Sequence, residues 1–159
     1  MKKVIITAVL FLSGITAFCQ QEENGTIYIN HPNIDAVNAS TKAYLAKDMT
    51  SLKSIYSDTA KWWSSGMKDM VPIADAMKMW MTDFDYYDNI NQAAQGYPDY
   101  LEYKKNNDKF VQSWWIWSGK SKKTGEVLNI PMVVFDQFNN DGKIVREGIY
   151  GDFSKMQKD

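Results

Sequence analysis

Val127-Leu128-Asn129-Ile130-Pro131-Met132-Val133-Val134-Phe135-Asp136-Gln137-Phe138 runs through Asn139-Asn140-Asp141-Gly142-Lys143 into Ile144-Val145-Arg146-Glu147-Gly148-Ile149-Tyr150-Gly151-Asp152-Phe153. Two runs rich in β-branched and aromatic residues flank a cluster of Asn, Asp and Gly. The runs read as strands over 127–138 and 144–153, and the cluster as the reversal between them. Upstream, Phe110 to Ser118, Asp99 to Tyr103 and Tyr86 to Ala93 read as three more strands. The breaks are Ser118-Gly119 to Thr124-Gly125, Asn106-Asn107-Asp108 and Gln95-Gly96-Tyr97-Pro98. The second half of the chain is therefore a five-strand antiparallel meander.

Two of these strands are apolar on both faces. In 110–118 one face holds Phe110, Trp114 and Ile116, and the other Val111, Trp115 and Trp117. In 127–138, Val127, Val133 and Phe135 oppose Leu128, Ile130, Met132, Val134 and Phe138. A strand with one wet face should alternate apolar and polar. Both sheet faces are expected to be covered, one by helices and the other by a second subunit.

The first half carries helical spacing. Asn33 can cap a helix, and Ile34, Val37, Thr41, Tyr44 and Leu45 place one over 34–47. Asp48 or Thr50 opens a short second helix with Leu52, Ile55 and Tyr56, and Ala60 to Trp63 reads as a strand. Asp69 can cap a third helix with Pro72 in its first turn. Its apolar stripe is Ile73, Ala76, Met77, Trp80 and Phe84, and it should end near Thr82 to Asp85. Helices first and a meander after make an α+β order.

Residues 1–19 read as an export signal: Lys2 and Lys3, an apolar run from Val4 to Phe18, and Ala17-Phe18-Cys19 at the cleavage position. The expected organisation is a signal peptide at 1–19, a flexible leader at 20–32 and one domain at 33–155. The expected location is periplasmic or extracellular, with a lipoprotein anchored at Cys19 as the alternative. The run is too short for a good membrane span, so no transmembrane segment is expected in the mature protein. Of 159 residues, 18 are basic and 19 acidic. Removing Lys2 and Lys3 leaves 16 against 19, a net charge of −3 with no basic run, which argues against nucleic acid as a partner. Six Trp, nine Tyr and seven Phe supply large buried area for a core, a pocket or an interface. Cys19 is the only cysteine and His31 the only histidine. That excludes Cys/His catalysis and His-rich metal sites, and no nucleophile elbow, phosphate loop or dinucleotide fingerprint is present. No metal and no cofactor are expected.

The order of elements resembles the SnoaL-like and ketosteroid-isomerase-like proteins of the nuclear transport factor 2-like superfamily. The resemblance covers roughly residues 33 to 155. It rests on Ala43-Tyr44-Leu45-Ala46-Lys47-Asp48 leading to Leu52-Lys53-Ser54-Ile55-Tyr56-Ser57-Asp58, on strand Lys61-Trp62-Trp63, and on Asp141-Gly142-Lys143-Ile144 before Ile149-Tyr150-Gly151-Asp152. It implies a cone-shaped α+β barrel, with three N-terminal helices packed in a strongly curved, mostly antiparallel sheet that leaves an apolar cavity. Homodimers through the outer sheet face are common in such proteins. The resemblance also implies inward polar residues three and five places after the Ile of Gly-Lys-Ile, which here are Glu147 and Ile149. One acid is retained and the second polar group is aliphatic; Asp136 on the neighbouring strand supplies a second carboxylate only if the register turns it inward.

A carboxylate in an apolar cavity has a raised pKa and can serve as general acid or base near neutrality. Candidate catalytic residues are Glu147, Asp136 and Tyr44. Tyr44 or Tyr56 could donate to a developing oxyanion. Tyr56, Trp63, Trp80, Trp115, Met132 and Ile149 are the candidate ligand-binding residues. Plain structural readings compete with each. Glu147 could pair with Arg146, Lys143 or a cross-strand lysine. Asp136 could be a surface acid near the hairpin, and the two tyrosines core residues with wet hydroxyls. Core packing accounts better than copper for Met67, Met70, Met77, Met79 and Met81, and strand burial better than sugar stacking for Trp114, Trp115 and Trp117. His31 reads as a solvent-side loop residue. Three functions remain open: an exported pocket protein for a small apolar or aromatic molecule, a cofactor-independent isomerase, cyclase or dehydratase, and a non-catalytic dimeric interaction module.

Overall fold

A computed structural model describes residues 22–156. The signal peptide read at 1–19, with Cys19, lies outside the described residues. Elements follow in the order β1 (Gly25–Tyr28), α1 (Pro32–Leu45), α2 (Met49–Ile55), β2 (Tyr56–Ser64), β3 (Val71–Pro72), α3 (Ile73–Tyr86), β4 (Tyr87–Ala94), β5 (Asp99–Tyr103), β6 (Lys109–Ser121), β7 (Val127–Phe138) and β8 (Ile144–Gly151). The helices pack against one eight-stranded sheet of order β1-β5-β6-β7-β8-β2-β3. β4 shares the β5 edge of β6, pairing with its second half while β5 takes the first. All pairings are antiparallel except β2 with β8. The sheet does not close on itself, so the cone is open along β1 and β3.

Local chemistry accounts for several boundaries. The α1 cap is His31 rather than Asn33: its Nδ1 accepts from the Asn33 amide at 3.1 Å, and Pro32 occupies the first turn. The His31 ring stacks on Tyr100 at 3.6 Å with 5° between planes, so it is a packed cap and not a solvent-side loop residue. Asp48 caps α2 through the Ser51 amide. α3 starts later than a cap at Asp69 would require. Val71 and Pro72 first pair with Trp62 and Lys61, which ties the chain to the sheet until Ile73.

The inner sheet face follows strict alternation. In β6 the buried positions are Val111, Ser113, Trp115, Trp117 and Gly119; in β7 they are Leu128, Ile130, Met132, Val134, Asp136 and Phe138. These meet Ile34 and Val37 of α1, Leu52 of α2 and Ile73, Ala76 and Met77 of α3 in one core. The other face of β6 and β7, with Phe110, Trp114, Ile116, Val133 and Phe135, is only half-buried. Gly119 is required for close packing. A Cβ there would lie 2.7 Å from the Trp117 ring and 3.1 Å from Tyr87 Cβ.

Candidate functional site

Between the helices and the inner sheet face lies a cavity of about 310 Å³. Its chemistry begins with a bulge. Gln137 pairs with Arg146 but Phe138 pairs with Ile144, so Val145 is the extra residue on β8. A bulge resets which side chains point inward. Ile144 and Glu147, three apart, therefore both face the interior, and Ile149 follows at normal alternation. Glu147 stands directly opposite Asp136 on β7 and in register with Trp62 on β2. One row across three strands thus carries Asp136, Glu147 and Trp62.

Both acids are buried, Asp136 at 1% and Glu147 at 6% exposure. Among the described residues neither joins a salt bridge, so the pairing of Glu147 with Arg146 or a lysine is not made and Asp136 is no surface acid. The Tyr56 hydroxyl donates to Glu147 Oε2. Burial pushes the Glu147 carboxyl above its usual range, opposed by the hydrogen bonds from Tyr56 and Asp136. The nearby Trp62 indole N–H also favours charged Glu147, although it makes no hydrogen bond. Burial, and then the charge of Glu147, hold Asp136 well above the carboxylate range. Two acids so placed titrate as a pair, and burial holds both above the usual carboxylate range. Asp136 Oδ1 has no hydrogen-bond partner.

A second polar group lies farther along the cavity. Trp117 Nε1 donates to the Tyr44 hydroxyl at 3.1 Å, and Tyr44 donates to Asp83 Oδ2 at 3.0 Å. Burial first, and then the Asp83 charge, raise the Tyr44 pKa. Gln92 donates to Thr41 beside it. Trp117 pairs with Ile130, six residues along β7 from Asp136. At about 3.3 Å per residue the two polar groups are rooted about 20 Å apart along the strand. The wall between them includes Trp80, Trp115, Met132 and Val134.

Eight of the nine residues singled out in the sequence lie on this wall: Glu147, Asp136, Tyr44, Tyr56, Trp80, Trp115, Met132 and Ile149. Trp63 does not. Strand alternation turns Ala60 and Trp62 inward and Lys61 and Trp63 outward. The Trp63 N–H donates to the Met67 carbonyl at 2.8 Å and its ring meets Tyr150 at 5.2 Å. Trp62 holds the position on the wall. Asp83 was not foreseen either. It lies three residues after Trp80 and seven after Ala76, in step with the apolar stripe of α3, and that carboxylate in the stripe was the available signal. The tyrosine hydroxyls are not wet: both are donated to buried acids.

No family model matches the sequence, and no curated protein matches it. Solved structures do. Wild-type IdmH from Streptomyces antibioticus, described as a proposed polyketide cyclase, is 14% identical with a TM-score of 0.64, over 79% of this chain and 96% of that one. A proposed SnoaL-like polyketide cyclase from Shewanella denitrificans is 10% identical with a TM-score of 0.58, over 80% and 95%. A nuclear transport factor 2-like protein of unknown function from an Exiguobacterium species is 20% identical with a TM-score of 0.58, over 74% and 98%. At these identities the likeness is one of fold. With its helices laid in a bent open sheet over an acid-bearing cavity, the chain has the nuclear transport factor 2-like fold shared by SnoaL-like and ketosteroid-isomerase-like proteins.

Proposed function

We propose that the chain is a small-molecule pocket protein that holds an apolar or aromatic carbonyl compound and moves a proton on it without a cofactor. The carrying observation is the cross-strand pair Asp136–Glu147, buried in a cavity wall with Tyr56 on Glu147. Ionised Glu147 would remove a proton from the carbon beside the carbonyl. Protonated Asp136 would hydrogen-bond to the oxygen as charge develops there. Return of the proton from Glu147 to another carbon completes an isomerisation; return after ring closure completes a cyclisation. The two neighbouring structures described as proposed cyclases share the fold and are consistent with this reading.

The test has two stages. Hydrophobic ketones and aromatic carbonyl compounds are screened for thermal stabilisation, which reports binding to the native state. Compounds that bind are incubated in heavy water, and deuterium uptake beside the carbonyl is followed by NMR with the wild type and Glu147→Gln. Uptake lost in the variant, with binding kept, is the expected result. Binding without uptake reduces the protein to a carrier, and no stabilising compound removes the pocket reading.

Two further readings rest on sequence and surface. The half-buried apolar face of β6 and β7, with Tyr150 exposed at 51%, suits a second copy of the chain. Light scattering on the purified protein would report a dimer, and a monomer at all concentrations would refute it. Residues 1–19 suit an export signal, for which the check is a mature N-terminus at Gln20.

A further inference from the structure

The wall around the acid pair is aromatic in a particular way. Trp80 meets Trp62 at 5.8 Å with 83° between planes, and Tyr56 at 6.1 Å with 51°. These two steep ring contacts, both made by Trp80, form a corner. Tyr56 and Trp62 both bear on Glu147. No Lys, Arg or His lines the cavity, so among the described residues the charge of this pair is not balanced by the protein. A buried carboxylate without a cation is costly, and Asp136 Oδ1 remains unpartnered at 1% exposure of the residue. Ring faces and carboxylates share one preference: both attract an organic cation, and a buried carboxylate gains nothing comparable from a neutral hydrocarbon.

We infer that this corner is an ammonium subsite: the ligand carries a protonated or quaternary amine seated among Tyr56, Trp62 and Trp80, its charge balanced by the Asp136–Glu147 pair. The subsite presupposes the pocket proposed above and names the class of molecule that fills it. The rest of the ligand extends toward Trp115 and Met132, where the wall is apolar.

The experiment compares benzyltrimethylammonium with neopentylbenzene, which has the same shape with carbon in place of the charged nitrogen. Binding to the wild type is read by calorimetry and by tryptophan fluorescence. The expected result is at least a roughly tenfold preference for the cation. Glu147→Gln and Trp80→Leu should each shrink that preference to about twofold, by weakening the cation and not the isostere. The wild-type comparison decides the matter even if a variant folds poorly. Equal or tighter binding of the neutral isostere overturns the subsite and leaves the pocket standing. Failure of both molecules to bind counts against pocket and subsite together. A cation preference that survives Glu147→Gln and Trp80→Leu overturns the assignment to this corner.

Discussion

Replacing Tyr56 by Phe removes one oxygen and leaves the ring in place. Tyr56 is 6% exposed and its hydroxyl donates to Glu147, so the change leaves a buried carboxyl short of a donor and opens almost no space. A hydrogen bond to a charged group contributes about 1.5–3 kcal/mol, and one between neutral groups about 0.5–1.5 kcal/mol. The cost should therefore depend on pH. Glu147 has a folded pKa raised above its unfolded value, mainly by burial. Its contribution is complete below the unfolded pKa and is lost as pH rises through the folded one. Tyr56 opposes that rise, so Tyr56→Phe moves the Glu147 pKa further up and deepens the loss on the alkaline side. Urea unfolding followed by tryptophan fluorescence would show a cost of about 0.5–1.5 kcal/mol below the Glu147 titration and about 1.5–3 kcal/mol above it. The titration itself is located from the carboxyl carbon shift of Glu147 in both proteins. An equal cost at both pH values, or a Glu147 pKa that does not rise in the variant, would refute the role assigned to this hydroxyl.

Asp136→Asn removes an acid that burial and the facing Glu147 hold well above its normal range. The wild type loses stability as pH rises through the raised folded pKa of Asp136; the variant should show a flatter profile of urea midpoints on the alkaline side of the normal carboxylate range, and an unchanged slope would refute the burial argument. Gly119→Ala should cost about 1–3 kcal/mol through contact with Trp117 and Tyr87 and alter the near-ultraviolet circular dichroism. By contrast Gly148→Ala, whose Cβ would meet nothing nearer than 3.8 Å, should change the unfolding midpoint little.

The meander β5-β6-β7-β8 was legible because turn chemistry and period-2 patterning are local; the expected fifth member, β4, pairs with β6 instead of its chain neighbour β5, which local patterning does not reveal. β7 spans 127–138, as its sequence reads, and β5 spans 99–103. The three helices were legible from their apolar stripes, with ends displaced by tertiary pairing: Val71 and Pro72 join the sheet before α3 can begin. The site was legible in composition and less so in direction. Glu147 and Ile149 were placed inward through the family resemblance, whereas Trp62 and Trp63 are adjacent aromatic residues on one strand. Only the sheet partner distinguishes them, because Trp62 lies in register with Glu147. Asp83 escaped because a carboxylate in an apolar helix stripe reads as polar surface until a hydroxyl such as that of Tyr44 is found across from it.

By itself the sequence determined an α+β order of elements, the strand and helix periods, a single cysteine and a single histidine, and the wealth of aromatic rings from which a wall could be built. These follow from residue type and spacing along the chain. Tertiary structure alone decided that Asp136 faces Glu147, since one extra residue at Val145 shifts the register and turns both acids into the same space. Side-chain direction on a strand is a property of pairing with its neighbour, and pairing is made between segments far apart in sequence.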